Sequence, residues 1–317
     1  MGFSFTFASL LFDDSAIMDQ NPTNSTFSFH ANLINSGIEE AISASELAQV
    51  LAEKPFVSVS GAFNLRDLAH VPHVKPSLIY RSGTLSGLKP EGKDALVNNL
   101  RVRTVFDLRS ARELQSFPFP DLTTEGDSIE VLWCSYDTTP ADTDISDFAN
   151  LESEDPDSWN GGARGFSNDY LQILRIYKSA FQKVFRHLLD RPDQAILFNC
   201  TAGKDRTGTL AALILSLAGV PDDHIAFDYA LTRVGIEPQK EFLMAFIKKW
   251  KPEWTPETPG MRGFSNVRPE YMIKFLEDAR STYCVDDSAS SWAAAYLHTQ
   301  LGFSKDDIDR ICQNLRA

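Results

Sequence analysis

A ten-residue stretch at positions 199–208 constrains the fold of this chain more than any other feature, and it reads Asn-Cys-Thr-Ala-Gly-Lys-Asp-Arg-Thr-Gly. The apolar run 195–198 before it is typical of a short buried strand, and the apolar run 210–215 after it is typical of a buried helix. A loop between a strand and a helix N-terminus directs backbone N–H groups and the positive end of the helix dipole towards one point. The sequence therefore predicts an anion-binding loop suited to phosphate.

The same loop carries a nucleophile and a cation in the order C-x5-R. Cys200 and Arg206 are separated by five residues. A free cysteine has a pKa of about 8.5, and its thiolate is the nucleophilic form. The helix N-terminus, the Arg206 guanidinium and the converging amides are expected to stabilise that thiolate, while the planar fork of Arg206 can bind two phosphate oxygens. The pattern predicts a cysteinyl-phosphate intermediate, with no metal and no other cofactor.

Two aspartates are candidates for the general acid that protonates the leaving group. Asp205 lies beside Arg206 in the loop, and Asp137 follows the predicted strand 129–133. The sequence leaves both candidates open. It also leaves open whether the hydroxyl of Thr207 hydrogen-bonds the thiolate or caps the helix.

The loop resembles that of the cysteine-dependent tyrosine phosphatases of bacteria and fungi, which reads H-C-x-A-G-K-D-R-T-G. Further segments resemble motifs of the same family, and these are residues 63–68, 80–85, 103–110, 269–272 and 296–297. The resemblance extends, with gaps, over about residues 55–316. It implies a cysteine-phosphatase-like α/β fold and activity on phosphotyrosine, with dual specificity or phosphoinositides as further options.

The resemblance also implies roles for individual residues. Cys200 is expected to be the nucleophile, Arg206 the phosphate clamp and Asp205 the acid. The expected substrate-binding residues are Thr201, Ala202, Gly203, Lys204 (as a second phosphate-binding cation), Thr207 and Gly208. Asp107 and Arg109 are expected either to support the loop from the neighbouring strand or to form an ordinary salt bridge at a strand end.

One position of the loop departs from the family pattern. Asn199 stands where the family usually has histidine. Asparagine supplies hydrogen bonds but carries no positive charge. We therefore expect it to support the loop, with a higher pKa of the thiol or lower activity rather than loss of the mechanism.

Composition limits the partners and the compartment. The chain has 317 residues, with 30 basic and 43 acidic side chains and a net charge of −13. Such a surface repels nucleic acid and anionic membranes, and it attracts a phosphorylated protein, lipid or small molecule only locally, around the loop. The four cysteines lack paired metal spacing, and a thiolate enzyme suits a reducing compartment, so a cytoplasmic location is expected. Oligomeric state is left open.

The strand and helix patterns predict one α/β domain over residues 37–317, with a central, mostly parallel sheet flanked by helices. The predicted strands are 57–59, 78–80, 102–108, 129–133 and 195–198; a single helix is predicted over 170–189, and C-terminal helices at 269–281, 292–300 and 305–315. Residues 1–36 contain six Phe and no Lys or Arg, and they are expected to form a tail or a strap. Two insertions are predicted, an acidic one at about 137–165 that acts as a lid or a mobile loop, and a Pro-rich one at 251–267. No apolar run approaches the roughly 20 residues that a membrane span needs, so no stable membrane insertion is expected.

Three functions are compatible with the sequence. The leading hypothesis is a phosphomonoesterase acting on phosphotyrosine. A second keeps the chemistry but takes a small phosphorylated metabolite, such as an inositol or prenyl phosphate. The third is a weakly active phosphate-binding module, which Asn199 makes worth testing.

Overall fold

The computed structural model describes residues 32–122, 129–149, 160–284 and 291–317, and the side chains of residues 160 and 161 are not described. The expected N-terminal tail and the acidic insertion therefore lie partly outside the described residues. Within them, five strands form one sheet: β1 (Arg66–Asp67), β2 (Ile79–Ser82), β3 (Val102–Asp107), β4 (Glu130–Trp133) and β5 (Ala195–Asn199). Their order in the sheet is β1-β2-β5-β3-β4, and only β1 is antiparallel to its neighbour. The predicted mostly parallel sheet is confirmed.

Helices cover both faces of this sheet. In the described residues they are α1 (Ala44–Ala52), α2 (Pro90–Asp94), α3 (Ala111–Ser116), α4 (Asn160–Ile176), α5 (Lys178–Asp190), α6 (Asp205–Ala218), α7 (Asp222–Ala230), α8 (Thr232–Gly235), α9 (Lys240–Trp250), α10 (Met261–Ser265), α11 (Pro269–Tyr283), α12 (Trp292–Leu301) and α13 (Lys305–Leu315). A wider helical turn, Ala95–Asn99, continues α2.

The central strand β5 shows why the sheet is buried on both sides. All five of its residues are buried, and alternate side chains point to opposite faces. Ile196 and Phe198 join the larger core with α4 to α7 and α11 to α13, whereas Leu197 joins a smaller core with residues 95–97. The continuous apolar run is therefore the expected signature of a doubly covered strand.

The other predicted strands at 78–80, 102–108 and 129–133 are also confirmed, as are the C-terminal helices. The predicted strand at 57–59 is wrong, because only Phe56 forms an isolated bridge, with Arg66. The predicted single helix over 170–189 is two helices, α4 and α5, which part at Tyr177. The Tyr177 backbone leaves the helical region there, and its hydroxyl donates to the Leu108 carbonyl oxygen at 3.1 Å.

The sheet order brings three loops to one edge. Strands β2, β5 and β3 are parallel neighbours, so the segments that follow their carboxyl ends lie side by side. Backbone bonds join them directly: Leu108 N donates to Asn199 O at 2.8 Å, and Thr84 N donates to Thr201 O at 3.0 Å. This edge carries the predicted anion-binding loop.

The segment 33–42 crosses the helices on one side of the domain. Arg233 of α8 is fully buried, and its guanidinium donates to the carbonyl oxygens of Gly37 at 2.9 Å and Glu40 at 2.6 Å. Ile34 and Ile42 pack in a small core with residues of α7 and α8. None of the described helices has the length and apolar character that crossing a membrane requires.

Candidate active site

The loop after β5 begins at Cys200, which is 1% exposed, and ends where α6 starts at Asp205. Gly203 turns the chain with a φ of +72°, a backbone conformation that side-chain-bearing residues rarely adopt. A Cβ at this position would lie 2.6 Å from the Ser82 carbonyl oxygen. The glycine is therefore required both by its backbone angle and by the close approach of β2.

Three successive carbonyl groups of this loop point outwards. Each accepts a hydrogen bond from outside the loop: Thr201 O from Thr84 N at 3.0 Å, Ala202 O from Asn64 Nδ2 at 3.0 Å and Gly203 O from an Arg81 terminal nitrogen at 2.8 Å. In a trans peptide the C=O of one residue and the N–H of the next point in opposite directions. The amides of residues 202, 203 and 204 therefore face the inside of the loop. Among the described residues, the amides of 201–204 have no acceptor.

The first turn of α6 adds a further polar group. The side chain of Thr207 is fully buried, and its hydroxyl has no hydrogen-bond partner among the described residues. It therefore does not cap the helix, which was one of the two options left open. Gly208 lies behind the loop: its N–H is bonded to Lys204 O at 2.7 Å, and a Cβ there would lie 3.2 Å from the Tyr229 ring.

Arg206 is held by a carboxylate that the sequence analysis did not identify. Two terminal nitrogens of Arg206 donate to the two carboxylate oxygens of Glu113, each at 2.7 Å. Cys200 lies within electrostatic range of this guanidinium, of Lys204 and of Tyr177. Burial opposes the charge of Arg206, but Glu113 raises its pKa well above the usual range. Arg206 is therefore a permanent, oriented cation beside the nucleophile.

The carboxylate of Glu113 accepts hydrogen bonds from five donor atoms, which belong to Ser110, Thr201 and Arg206. Ser110 caps α3 and donates to Glu113 from its hydroxyl at 2.7 Å, and Thr201 donates from its hydroxyl at 2.5 Å. Burial favours the neutral acid, but the Arg206 charge and these hydrogen bonds hold the pKa of Glu113 well below its usual range. The Ser110-x-x-Glu113 capping box was the sequence signal that could have placed this residue at a helix start beside β3.

Asp205, one of the two candidate acids, lies at the edge of the loop with its side chain 39% exposed. Tyr170 of α4 donates to its Oδ1 at 3.0 Å, and Lys204 Nζ lies 3.8 Å from the same oxygen. The tyrosine hydroxyl also lies 2.7 Å from the Tyr229 hydroxyl. These contacts orient the carboxyl while leaving it accessible.

Asp137, the other candidate acid, has a different environment. Its carboxylate accepts a hydrogen bond from Ser179 N at 2.9 Å, in the first turn of α5. Its own N–H donates to Ile176 O at 2.7 Å. Asp137 therefore stabilises the junction between α4 and α5, as acidic side chains commonly do at helix N-termini.

Lys204 is buried, and its ammonium is occupied by protein groups. Nζ donates to the carbonyl oxygens of Phe264 at 3.1 Å and Asn266 at 3.2 Å, and it lies 4.0 Å from the Phe166 ring centre. Burial lowers the pKa of this lysine. That its ammonium binds phosphate therefore stays a prediction, and such binding requires it to leave these carbonyls.

A further acidic residue, Asp169, belongs to the same neighbourhood. It lies on α4 one residue before Tyr170 and three residues after Phe166, and so on the side of the helix that meets Lys204. Burial, and then the charge of Asp205, raise the pKa of Asp169 to about 7. No sequence pattern around Asp169 indicates this environment, because only the tertiary arrangement places it near a second carboxyl.

The pair Asp107 and Arg109 is connected to the loop. Both side chains are almost fully buried, and Arg109 donates to Asp107 from Nε at 2.9 Å and from a terminal nitrogen at 2.7 Å. Asn199 Nδ2 lies 3.4 Å from Asp107 Oδ1 and 3.4 Å from Cys200 O, whereas its Oδ1 has no partner among the described residues. Arg109 also binds the Thr84 hydroxyl at 2.9 Å, so the pair links the segments that follow β2 and β3.

Comparison with known proteins agrees with this geometry. A model of the tyrosine phosphatase family matches residues 57–317. A tyrosine-protein phosphatase of Nostoc commune is 36% identical over 160 residues, which is 50% of this chain and 49% of that protein. The triple specificity protein phosphatase PtpB of Mycobacterium tuberculosis is 28% identical over 252 residues, which is 70% of this chain and 88% of that protein.

Among solved structures, this chain is similar to the core catalytic domain of the PP-IP phosphatase SIW14 from S. cerevisiae. The two are 18% identical with a TM-score of 0.32, and the match covers 63% of this chain and 98% of that one. This likeness is too weak to support an argument. The family match covers the sheet, the loop and all the helices from α2 onwards. This chain belongs to the tyrosine phosphatase family.

Proposed function

We propose that this phosphatase hydrolyses phosphomonoesters through a cysteinyl-phosphate, with phosphotyrosine as its main substrate. The observation that carries the proposal is the set of three outward carbonyls in the loop, since it leaves three amides directed at one point above Cys200. Amides in this position can stabilise the charge on the equatorial phosphate oxygens of the transition state.

In the first step the Cys200 thiolate attacks phosphorus, and the bond between phosphorus and the ester oxygen breaks. Arg206 binds phosphate oxygens with donors that Glu113 leaves free, while Glu113 keeps the guanidinium in its plane. Asp205 gives its proton to the departing oxygen. We prefer Asp205 to Asp137, because Asp205 is accessible beside the loop and Asp137 is engaged at the start of α5.

In the second step water attacks phosphorus, the phosphorus–sulfur bond breaks and inorganic phosphate leaves. Asp205, now ionised, accepts the proton of the attacking water. The Thr207 hydroxyl donates to the departing thiolate, which is the remaining option for this residue; its lack of another partner among the described residues supports this role. Lys204 contributes its backbone amide, and the amides of Ala202 and Gly203 act with it.

The substrate class is supported by the relatives, whose names describe a tyrosine-protein phosphatase and a triple specificity protein phosphatase. All four cysteines are free, which suits the reducing compartment that a thiolate nucleophile needs and supports a cytoplasmic location. We also propose that residues 37–317 act as one catalytic unit, since the larger core draws residues from Ile38 to Leu315.

The proposal is tested by comparing the parent chain with Cys200→Ser on an aryl phosphate, in the presence and absence of a metal chelator. We expect turnover by the parent, no effect of chelator and no turnover by the variant, together with a phosphorylated protein species in the parent after acid quench. A parent that binds phosphate but does not turn over would contradict the enzyme proposal.

The substrate class needs a second measurement. A panel of phosphotyrosine, phosphoserine and phosphothreonine peptides, phosphoinositides and small phosphorylated metabolites is compared at one enzyme concentration. We expect the highest kcat/KM for a phosphotyrosine peptide. A marked preference for a metabolite would overturn the substrate assignment while leaving the chemistry intact.

A further inference from the structure

A buried ion network lies behind the loop, on the side of its carbonyl groups. Asp228 of α7 is 1% exposed and binds two arginines, Arg66 of β1 and Arg81 of β2, which are also fully buried. Arg66 Nε donates to Asp228 Oδ1 at 2.9 Å, and a terminal nitrogen of Arg81 donates to Oδ2. A third neighbour, His70, has Nε2 3.5 Å from Asp228 Oδ1, and burial lowers its pKa.

Such a network is expensive to bury. Three ionised groups lose their hydration, and the single carboxylate does not neutralise both guanidinium groups. Replacement by apolar residues of similar volume is often neutral or stabilising, so stability alone does not explain its presence. The remaining contacts of the two arginines are therefore informative.

Both arginines reach the phosphate-binding loop. Arg81 donates directly to Gly203 O at 2.8 Å. Arg66 acts through Asn64, because it donates to Asn64 Oδ1 at 2.5 Å and thereby directs the amide group of that side chain. Asn64 Nδ2 in turn donates to Ala202 O at 3.0 Å and approaches Gly203 O at 3.4 Å.

We propose that Asp228, Arg66, Arg81 and Asn64 are positioning residues of the phosphate site, which turn the carbonyls of Ala202 and Gly203 outwards so that the next amides face the phosphate. The proposal rests on the phosphate-binding role proposed above for the loop. Asp228 fixes both arginines at once, and the arginines supply donors to two successive peptide groups. Because the next amide belongs to the same rigid peptide unit, losing either donor frees that amide to rotate away.

The network also acts on the loop electrostatically. A guanidinium bonded to the Gly203 carbonyl polarises that peptide, which makes the Lys204 N–H a stronger donor towards an anion. A lysine at position 81 keeps the charge, but its donors are all on one nitrogen atom in place of a planar fork. It cannot bind Asp228 and Gly203 O in the same geometry, so it restores only part of the effect.

The decisive experiment compares Arg81→Met, Arg81→Lys and Asn64→Gly with the parent. Asn64 has a φ of +53°, which glycine adopts freely, so Asn64→Gly removes the side-chain donor without leaving a new strained residue. The inhibition constants of orthovanadate and inorganic phosphate, and kcat and KM for an aryl phosphate, are measured on protein shown to be folded by circular dichroism. Urea unfolding supplies the stability of each variant.

Arg233→Met is the matched control. Arg233 is also fully buried and paired with a carboxylate, Glu237, at 2.6 Å, but the carbonyls that it binds belong to residues 36, 37 and 40 and not to the loop. Loss of either arginine should lower stability. Only loss of Arg81 should change phosphate binding.

We expect Arg81→Met and Asn64→Gly to weaken orthovanadate and phosphate binding by about tenfold or more and to lower kcat, with partial recovery in Arg81→Lys. Arg233→Met should keep the inhibition constants of the parent within about threefold. Parent-like binding in folded Arg81→Met and Asn64→Gly would overturn the proposal, and if Arg81→Met does not fold, Asn64→Gly decides.

If the proposed function is wrong, the experiments give a different result from the one that overturns the positioning role. A parent chain without turnover removes the enzymatic role, yet the orthovanadate and phosphate titrations of the same variants still test whether the network positions the loop.

Discussion

The loop lies between two arginine–carboxylate clusters that differ in how far their side chains are exposed. The floor cluster, Arg66, Arg81 and Asp228, has side chains that are at most 1% exposed. The mouth cluster, Arg206 and Glu113, has side chains that are 20% and 11% exposed. Both clusters contain a carboxylate whose pKa is held well below its usual range by arginine, against the effect of burial.

The clusters differ in which of their hydrogen-bonding groups a ligand can reach. Every nitrogen of the Arg66 guanidinium has a protein acceptor, and the terminal nitrogens of Arg81 bind Asp228 and Gly203 O. Arg81 Nε has no partner among the described residues, but it is buried and out of reach of a ligand. The Arg206 side chain, by contrast, is 20% exposed, so a ligand can reach its guanidinium while Glu113 holds the two terminal nitrogens. The floor therefore holds the loop in its conformation, whereas the mouth can also bind a ligand. Loss of the floor should mainly lower the free energy of unfolding, and loss of the mouth should mainly lower the rate of catalysis.

The largest expected effect is on stability, in Asp228→Ala. Removing the carboxylate leaves two buried guanidinium groups without their counter-charge, and we expect the free energy of unfolding to fall by about 3–5 kcal/mol at neutral pH. The pKa of Asp228 is lowered in the folded state, so its contribution is present above the ordinary aspartate pKa and is lost as pH falls through the folded value. Urea unfolding at several pH values should show parent and variant converging in acid; a constant difference would contradict this view of the floor.

Asp169, beside the mouth, should have the opposite pH dependence. Its pKa rises from 3.8 to about 7 on folding, so between these values the folded state holds a proton that the unfolded state has released. The parent should therefore lose stability as pH rises through this window. Asp169→Asn removes this loss, which is worth up to about 4 kcal/mol above pH 7.

Among the described residues, the charges of Asp205 and Asp147 raise the pKa of Asp169, and the charge of Lys204 lowers it. Urea unfolding of parent and Asp169→Asn from pH 4 to pH 8 measures the effect. The stability advantage of the variant should grow up to about pH 7 and then level off. An advantage that does not change with pH would show that the proton is not taken up on folding.

Glu113→Gln tests the role of the mouth cluster. Glutamine keeps the shape but loses the charge and one acceptor, so Arg206 is held less firmly in its plane. We expect kcat/KM for an aryl phosphate to fall by about 10- to 100-fold, with a smaller stability loss than in Asp228→Ala. Steady-state kinetics and urea unfolding of the same preparations separate the two effects. Parent-like kinetics together with a large loss of stability would show that the mouth, like the floor, acts mainly on stability, and would contradict the comparison.

The smallest effect is expected for Asp137→Ala, which lies in neither cluster. Loss of its hydrogen bond to the Ser179 amide should lower the free energy of unfolding by about 1 kcal/mol. The kcat for an aryl phosphate should stay unchanged, whereas Asp205→Asn should lower kcat by about 10²- to 10⁴-fold. A large kcat loss in Asp137→Ala would return it to the position of general acid.

The sequence predicted the parts of the fold that local pattern controls. The β5 strand, the loop and the start of α6 follow from an apolar run, a glycine-containing turn and a second apolar run. The two-residue strand β1 is too short to show periodicity, and the break at Tyr177 depends on a contact with Leu108, which is distant in sequence. Such contacts are not visible in the pattern of one segment.

The site divides in the same way. Cys200 and Arg206 carry a recognisable spacing, whereas Glu113 and Asp228 reach the loop only after the chain has folded. Lys204 shows the limit most clearly, since its place in the loop suggests a phosphate ligand and its ammonium is bonded to two carbonyls. The sequence shows which residue types lie in the loop. Only the packing of the folded chain determines which of their hydrogen-bonding atoms are available to a ligand.

The most direct test of the account is a crystal structure of the parent chain with orthovanadate. We predict vanadium bonded to Cys200 Sγ, equatorial oxygens within about 2.7–3.2 Å of the amides of residues 202–204 and of Arg206, and the carbonyls of Ala202 and Gly203 still bonded to Asn64 and Arg81. Orthovanadate bound elsewhere, or bound after those carbonyls have turned inwards, would contradict it.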